Sequence, residues 1–272
     1  MDLAAFPGFG LVTPLAEKIE DDHDLWLVYE SGSKTMSQRM CSIQAENKGN
    51  VRVYNLVHQS FYKCLKRDKT ILADFIVKMA QALDLIQEAG LVHSDIKPDN
   101  ILIKLEPRNS KIQSLKIIDY GSSFQFKNMK VTGTTPEYLA PEVLKYLKGL
   151  TEGKVEAQKW SFDVWSLGII ILEIIVGFPV WLTLSCKMTT ATGKPRIGRG
   201  LLAVSDRNPI KILEAIEKLV EGLRSTLTKL DNYSLCRIPE LLDLVERMLE
   251  MDAMKRISPK EILDHPFVKL YF

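Results

Sequence analysis

Cysteine is scarce in this chain and widely scattered. Cys41, Cys64, Cys186 and Cys236 follow no spacing that would hold a metal or set up a disulfide framework. They read as reduced thiols, which places the protein inside the cell, in the cytoplasm or the nucleus. An excess of charge is missing too. The 36 Lys and Arg residues against 34 Asp and Glu leave a formal net charge of +2, so electrostatics gives no reason to expect nucleic acid or an anionic membrane as partner. The first residues, Met1 to Ala5, do not lead from a basic segment into a long apolar one, so no secretory signal is read there. The one long hydrophobic run, Leu167 to Leu182, is interrupted by Glu173, Gly177 and Pro179. It falls short of the roughly 20 residues a spanning helix needs, and a buried helix is the better reading. Internal repeats and low-complexity tracts are absent, and nothing sets an oligomeric state. What remains is an ordinary folded composition: 272 residues, 46% hydrophobic and 26% charged, enough for one large or two modest domains.

The informative stretch is His93-Ser94-Asp95-Ile96-Lys97-Pro98-Asp99-Asn100, read with Asp119-Tyr120-Gly121. Pro98 has no N–H to give to a helix or inner strand, so the first of these is a loop. The apolar runs Ile101 to Leu105 and Leu115 to Ile118 read as strands separated by a turn region rich in Pro, Arg, Asn and Ser. The result is a hairpin with a polar loop at each end, which carries Asp95, Asn100 and Asp119 toward one place. Any one of these loops alone would pass for an ordinary surface turn.

Together they resemble the eukaryotic protein kinases, whose motifs are His-Arg-Asp-Leu-x-x-x-Asn and Asp-Phe-Gly. Here Ser94 stands for Arg, Ile96 for Leu and Tyr120 for Phe. Phosphoryl transfer asks mainly that an incoming hydroxyl be held in line with the γ-phosphate and that charge be neutralised. The resemblance implies that Asp95 accepts the hydroxyl proton, that Lys97 steadies the transferring phosphate of ATP, and that Asn100 and Asp119 hold Mg²⁺ through hard oxygen donors. Gly133 to Glu142 extends the likeness, because Gly-Thr-Thr-Pro-Glu-Tyr-Leu-Ala-Pro-Glu matches the end of a kinase activation segment. Thr135 falls where serine/threonine kinases place a hydroxyl touching the catalytic Asp and Lys, and with Lys97 it favours Ser/Thr over Tyr as acceptor. Ser94 supplies no guanidinium for a phosphorylated activation loop, so activity is expected not to depend on such phosphorylation.

Upstream, Leu15 to Ile19 and Leu25 to Glu30 read as an antiparallel pair around an acidic turn. From these residues alone the simpler reading is a plain hairpin with a glycine exit. In the resemblance they are the last two strands of the small lobe. Glu30-Ser31-Gly32 is then the hinge that meets adenine, with Glu30 and Gly32 as nucleotide-binding positions and Tyr29 as gatekeeper. The sequence has no G-x-G-x-x-G loop followed by a strand Lys. Gly8 and Gly10 are read as turn residues, and the expectation is a chain without its nucleotide lid. Such a chain would be poorly stable alone, because Leu11 to Glu30 would lack neighbours.

Downstream, Thr70 to Ala89 carries a helical apolar stripe closed by Gly90. Trp160 to Val176 is apolar nearly all round; by resemblance its Asp163 bonds the backbone of the catalytic loop. Ile210 to Leu223 and Ile238 to Met251 are amphipathic helices. Ser258, Pro259 and Glu261 form a capping box, Arg256 is expected to pair with Glu142, and His265 is taken as structural.

The expected fold is α+β and protein-kinase-like. Residues 1–34 form a remnant small lobe, and residues 35–272 form a mainly helical large lobe with insertions near 37–60 and 183–209, the latter polar and glycine-rich and read as a mobile insertion. The expected function is ATP- and Mg²⁺-dependent transfer to protein Ser/Thr hydroxyls, with a protein substrate and a nucleotide as partners. A small-molecule phosphotransferase is disfavoured by Thr134 to Glu142 and Asp163 to Gly168. The alternative of another class is a pseudokinase or kinase fragment that binds partners without catalysis.

Overall fold

The computed structural model of the chain describes residues 15–21, 25–29, 33–48, 51–107, 111–129, 131, 135–147, 149, 155–177, 185–189, 195–201, 208–223, 225, 227 and 234–272. The expectations placed on Gly8, Gly10, Glu30 and Gly32 lie outside these residues, as does that on the side chain of Tyr29. The fold is α+β, mostly helical, with short antiparallel strand pairs set around the helices.

Helix α1 spans Met36–Met40 and α2 spans Ser60–Arg67. Helix α3, Lys69–Glu88, forms because Asp68 caps its first turn, accepting from the Thr70 N–H at 2.9 Å. Ile71, Leu72, Phe75, Ile76, Met79, Leu83 and Ile86 bury one face. Gly90, at φ 75°, ends the helix in the left-handed region that glycine enters without strain. Helix α4 is Pro141–Leu147, and α5, Ser161–Val176, is buried on every side. Helices α6 (Pro209–Glu221), α7 (Pro239–Met248), α8 (Pro259–Leu263) and α9 (Pro266–Tyr271) follow among the described residues. Helix α5 packs on α3 and α7, while α8 and α9 lie against α3. Each large apolar side chain fully buried on α5 contributes about 1.5–3 kcal/mol, so this helix is the spine on which the site is mounted. Among the described residues no helix is long and apolar enough to cross a membrane.

Among the described residues, five two-stranded antiparallel sheets accompany the helices. Strands β1 (Leu15–Glu20) and β2 (Leu25–Tyr29) pair as expected, Glu20 opposite Leu25 and Ile19 opposite Trp26. Ile19, Trp26 and Val28 are exposed at 47%, 60% and 39%, so this pair buries little. Strands β3 (Cys41–Lys48) and β4 (Val51–His58) make a second hairpin. Strand β5 (Leu91–Val92) pairs with β8 (Phe124–Gln125), and β6 (Ile101–Leu105) with β7 (Ile112–Ile117). Strands β9 (Ser185–Thr189) and β10 (Pro195–Arg199) pair within the segment read as a polar, glycine-rich insertion. The composition of that segment hid a regular hairpin, because cross-strand hydrogen bonds need no apolar alternation. The described residues of the segment near 37–60 belong mostly to α1, β3 and β4. Thr35 and Gln38 cap α1 reciprocally, at 3.1 and 3.3 Å, and Met36 and Met40 enter the core.

Candidate active site

The site is assembled where α3 delivers the chain through β5 to the loop His93–Asn100. That loop is held from below by one side chain of α5. The Asp163 carboxylate accepts the His93 N–H at 2.8 Å and the Ser94 N–H at 2.9 Å. Two successive backbone donors on one carboxylate fix the loop against rotation, and Ser94 sits at φ 69°, a conformation side chains other than glycine enter at a cost of roughly 1–2 kcal/mol. Burial pushes the Asp163 carboxyl up, against His93 and the two N–H donors that favour its ionised form. The structural role read for Asp163 holds.

The hairpin β6–β7 closes the other side. Asn100 N donates to Lys97 O at 2.9 Å, rounding off a single 3₁₀ turn over Pro98–Asn100. Ile118 N then donates to Asn100 O at 3.0 Å, and His93 Nε2 lies 3.0 Å from Ile118 O. The residue before Asp119 is thus stapled to both ends of the loop. Asp119 itself adopts φ 63°, its carboxylate accepting from Gly121 N at 3.3 Å. Tyr120 meets His93 edge-on, with ring centroids 4.8 Å apart.

Within this frame three side chains converge on Asp95. Lys97 Nζ donates to Asp95 Oδ2 at 2.6 Å, and Asn100 Nδ2 donates to the same oxygen at 3.1 Å and to Asp95 O at 2.8 Å. Thr135, reaching in from the opposite segment, donates its hydroxyl to Asp95 Oδ1 at 2.9 Å and accepts from Lys97 Nζ at 2.9 Å. One hydroxyl is therefore held between a carboxylate that can take its proton and an ammonium that can balance negative charge beside it. Asp95 is 7% exposed, Lys97 23%, which leaves the pair accessible from one side.

Asn100 donates both amide hydrogen bonds to Asp95, leaving its Oδ1 for other use, and Asp119 brings carboxylate oxygen. Among the described residues no group of three or more His, Cys, Asp or Glu side chains is arranged to hold a metal. A two-residue set of oxygen donors suits Mg²⁺, which keeps water and takes substrate phosphates as its remaining ligands.

The segment carrying Thr135 is anchored at several points. Strand β8 pairs with β5, and Phe126 N donates to Gly90 O at 3.0 Å. Tyr138 N donates to Thr135 O at 3.0 Å, and Ser166 Oγ on α5 donates to Tyr138 O at 2.8 Å. Farther along, Arg256 grips Glu142 in a bidentate pair at 2.5 and 3.0 Å, as expected from the sequence. Its guanidinium also donates to Ser161 O at 2.7 Å and to Glu250 O at 2.7 and 2.9 Å. Its carbon centre lies 5.0 Å from the Trp165 ring centroid. His265, read as structural, sits 2.9 Å from Asp243 through Nε2 and caps α9 by accepting from Phe267 N at 3.3 Å.

Two residues escaped the sequence reading. Tyr138 donates its hydroxyl to Glu173, 3.2 and 3.0 Å from its two oxygens. Burial pushes the Glu173 carboxyl up to about 8 and the Tyr138 phenol well above its ordinary range. The signal was an acidic residue inside an otherwise apolar helix, noted only as an objection to a membrane span. A buried carboxylate asks for a partner, and here the Tyr138 hydroxyl is that partner.

A family model described as protein kinase domain matches residues 12–268. Among curated relatives, the dual specificity protein kinase CLK4 of Homo sapiens is 29% identical over 251 residues, covering 80% of this chain and 50% of that protein. The mitogen-activated protein kinase HOG1A of Wallemia ichthyophaga is 28% identical over 207 residues, 72% of this chain and 50% of that protein. The mitogen-activated protein kinase mpkC of Aspergillus terreus is 30% identical over 208 residues, 72% of this chain and 49% of that protein. The chain spans about half the length of the curated relatives it matches.

Proposed function

The chain belongs to the protein kinase domain family, and from that premise we propose that it transfers the γ-phosphate of ATP to serine and threonine hydroxyls of a protein substrate. The observation that carries this reading is the Thr135 hydroxyl held at 2.9 Å from both Asp95 Oδ1 and Lys97 Nζ. Asp95 receives the proton of the acceptor hydroxyl. Lys97 places positive charge beside the group in transfer, and Thr135 fixes the distance between the two. Asn100 and Asp119 would hold Mg²⁺, which when bound neutralises phosphate charge. Glu30 and Gly32 would meet the adenine as hinge residues, and residues 1–34 and 35–272 would act as the small-lobe remnant and the large lobe.

The sequence carries no G-x-G-x-x-G, and this keeps a non-catalytic scaffold as the competing reading. The two are separated by incubating the full-length protein with radiolabelled Mg-ATP and matched Ser, Thr and Tyr acceptor peptides, alongside thermal melts with and without Mg-ATP. Label on Ser and Thr peptides, and a melting shift that Asp119→Ala abolishes, support the kinase. A stable protein that neither shifts nor transfers is the scaffold.

A further inference from the structure

The β9–β10 hairpin gathers positive charge that the rest of the chain lacks. Residues 178–205 hold Lys187, Lys194, Arg196 and Arg199 and no Asp or Glu, a local charge of +4 in a chain whose formal net charge is +2. Lys187, Arg196 and Arg199 stand on the paired strands themselves. Like charges segregated in this way repel one another, and an anionic partner relieves the repulsion.

The ladder fixes where these positions fall. Lys187 is opposite Ile197, Arg199 opposite Ser185, and Arg196 opposite Met188. Residues two apart along a strand share a face, so positions 187 and 199 lie on one diagonal of a single face, about 7–8 Å apart. Position 196 belongs to the other face. Lys187 is exposed, and among the described residues no ion pair reaches it.

The hairpin is rooted in the body of the fold. Leu201, two residues beyond Arg199, is fully buried in the core. Helix α6, which follows, packs on α4, the helix that continues the Thr135 segment. The charges are thus carried by a paired element with a fixed base, and their spacing has meaning for a ligand.

That spacing matches an extended polypeptide, in which side chains i and i+2 lie on one side about 7 Å apart. Carboxylates at alternate positions therefore meet both cations of the diagonal at once. A nucleic acid is matched less well, because neither strand carries a Phe, Tyr or Trp on which a base could stack.

We propose that the β9–β10 hairpin is a docking surface for an extended acidic segment of a partner protein, which sets carboxylates at alternate positions against Lys187 and Arg199. The surface is separate from the phosphoryl-transfer site, and it stands whether the chain transfers phosphate or acts as a scaffold.

The test reads fluorescence anisotropy of labelled probes with the full-length protein. The probes are a peptide with glutamates at alternate positions (Glu-x-Glu-x-Glu), its Gln-x-Gln-x-Gln counterpart, a peptide with three consecutive glutamates, and an oligouridylate of equal charge. Exposed ion pairs are individually weak, so at low salt the alternating glutamate peptide should bind roughly tenfold more tightly than the glutamine peptide. It should also bind more tightly than the consecutive one, and lose its advantage at high salt. Lys187→Gln/Arg199→Gln should remove the preference, while Arg196→Gln should leave most of it. Lys187→Glu/Arg199→Glu should instead bind a Lys-x-Lys-x-Lys peptide, a gain that misfolding cannot produce. Equal binding of glutamate and glutamine peptides, equal binding of alternating and consecutive glutamates, or a preference untouched by the double variants overturns the proposal. So does tighter binding of the oligouridylate than of the alternating peptide.

Discussion

Replacing Glu173 by Gln should stabilise the protein, and by an amount that grows with pH. Helix α5 is buried on every side, and burial raises the Glu173 carboxyl from 4.5 to about 8. The groups facing it are the Tyr138 hydroxyl, the negative charges of Glu137 and Asp99, and, across a cavity that they line with it, Cys41 and His58. Of these only the Tyr138 hydroxyl favours the carboxylate. Between pH 4.5 and about 8 the folded protein therefore keeps a proton that the unfolded chain releases. Stability falls through that window as pH rises, by up to about 1.4 kcal/mol per pH unit. The accumulated cost is about 1 kcal/mol at pH 5, about 3 at pH 7 and about 5 at pH 9. Gln has nearly the same shape, keeps an oxygen for the Tyr138 hydroxyl and carries no charge at any of these values. Urea unfolding of wild type and Glu173→Gln at pH 5, 7 and 9 measures the difference, and other titrating groups cancel between the two proteins. The gap should widen by roughly 4 kcal/mol across the series. Parallel curves would refute the reasoning, since they would mean that the carboxyl is hydrated or ionises freely in the folded state.

The pairing of Arg256 with Glu142 invites a different comparison. Removing one partner strands a buried charge, so Arg256→Met or Glu142→Gln should each cost about 3–5 kcal/mol, while the double variant should cost less than the two summed; additive losses in a double-mutant cycle would deny the coupling. Alanine at Ser122, Thr132 and Thr134 together should leave transfer within about twofold, because Ser94 offers no guanidinium to a phosphate. Loss of activity in a folded triple variant would show that an activating phosphate finds its cation elsewhere.

Much of this arrangement could be read from the chain because chemistry restricts residue type as well as spacing. Asp95, Lys97, Asn100 and Thr135 meet as their motifs imply, and Asp163 and Arg256 find the partners assigned to them. The long stripe of α3 was visible for another reason: twenty residues repeat a period often enough to be recognised. Short or polar elements gave no such signal. Helix α1 has five residues and owes its existence to the Thr35 and Gln38 cap, while β9 and β10 are held by each other rather than by an apolar face. Glu173 escaped for the opposite reason. Its neighbours in sequence are all apolar, and the hydroxyl that donates to it is 35 residues distant along the chain.

The rate of phosphoryl transfer by Asp95→Asn at saturating Mg-ATP is the most direct trial of the account. Asn occupies the same volume and can still hold Lys97 and Thr135 in place, but it cannot take a proton. The rate onto a serine peptide should fall by about 10²–10⁴-fold with the Mg-ATP melting shift unchanged. Transfer at the wild-type rate would contradict the assignment of Asp95 as the proton acceptor, and with it the function built on this loop.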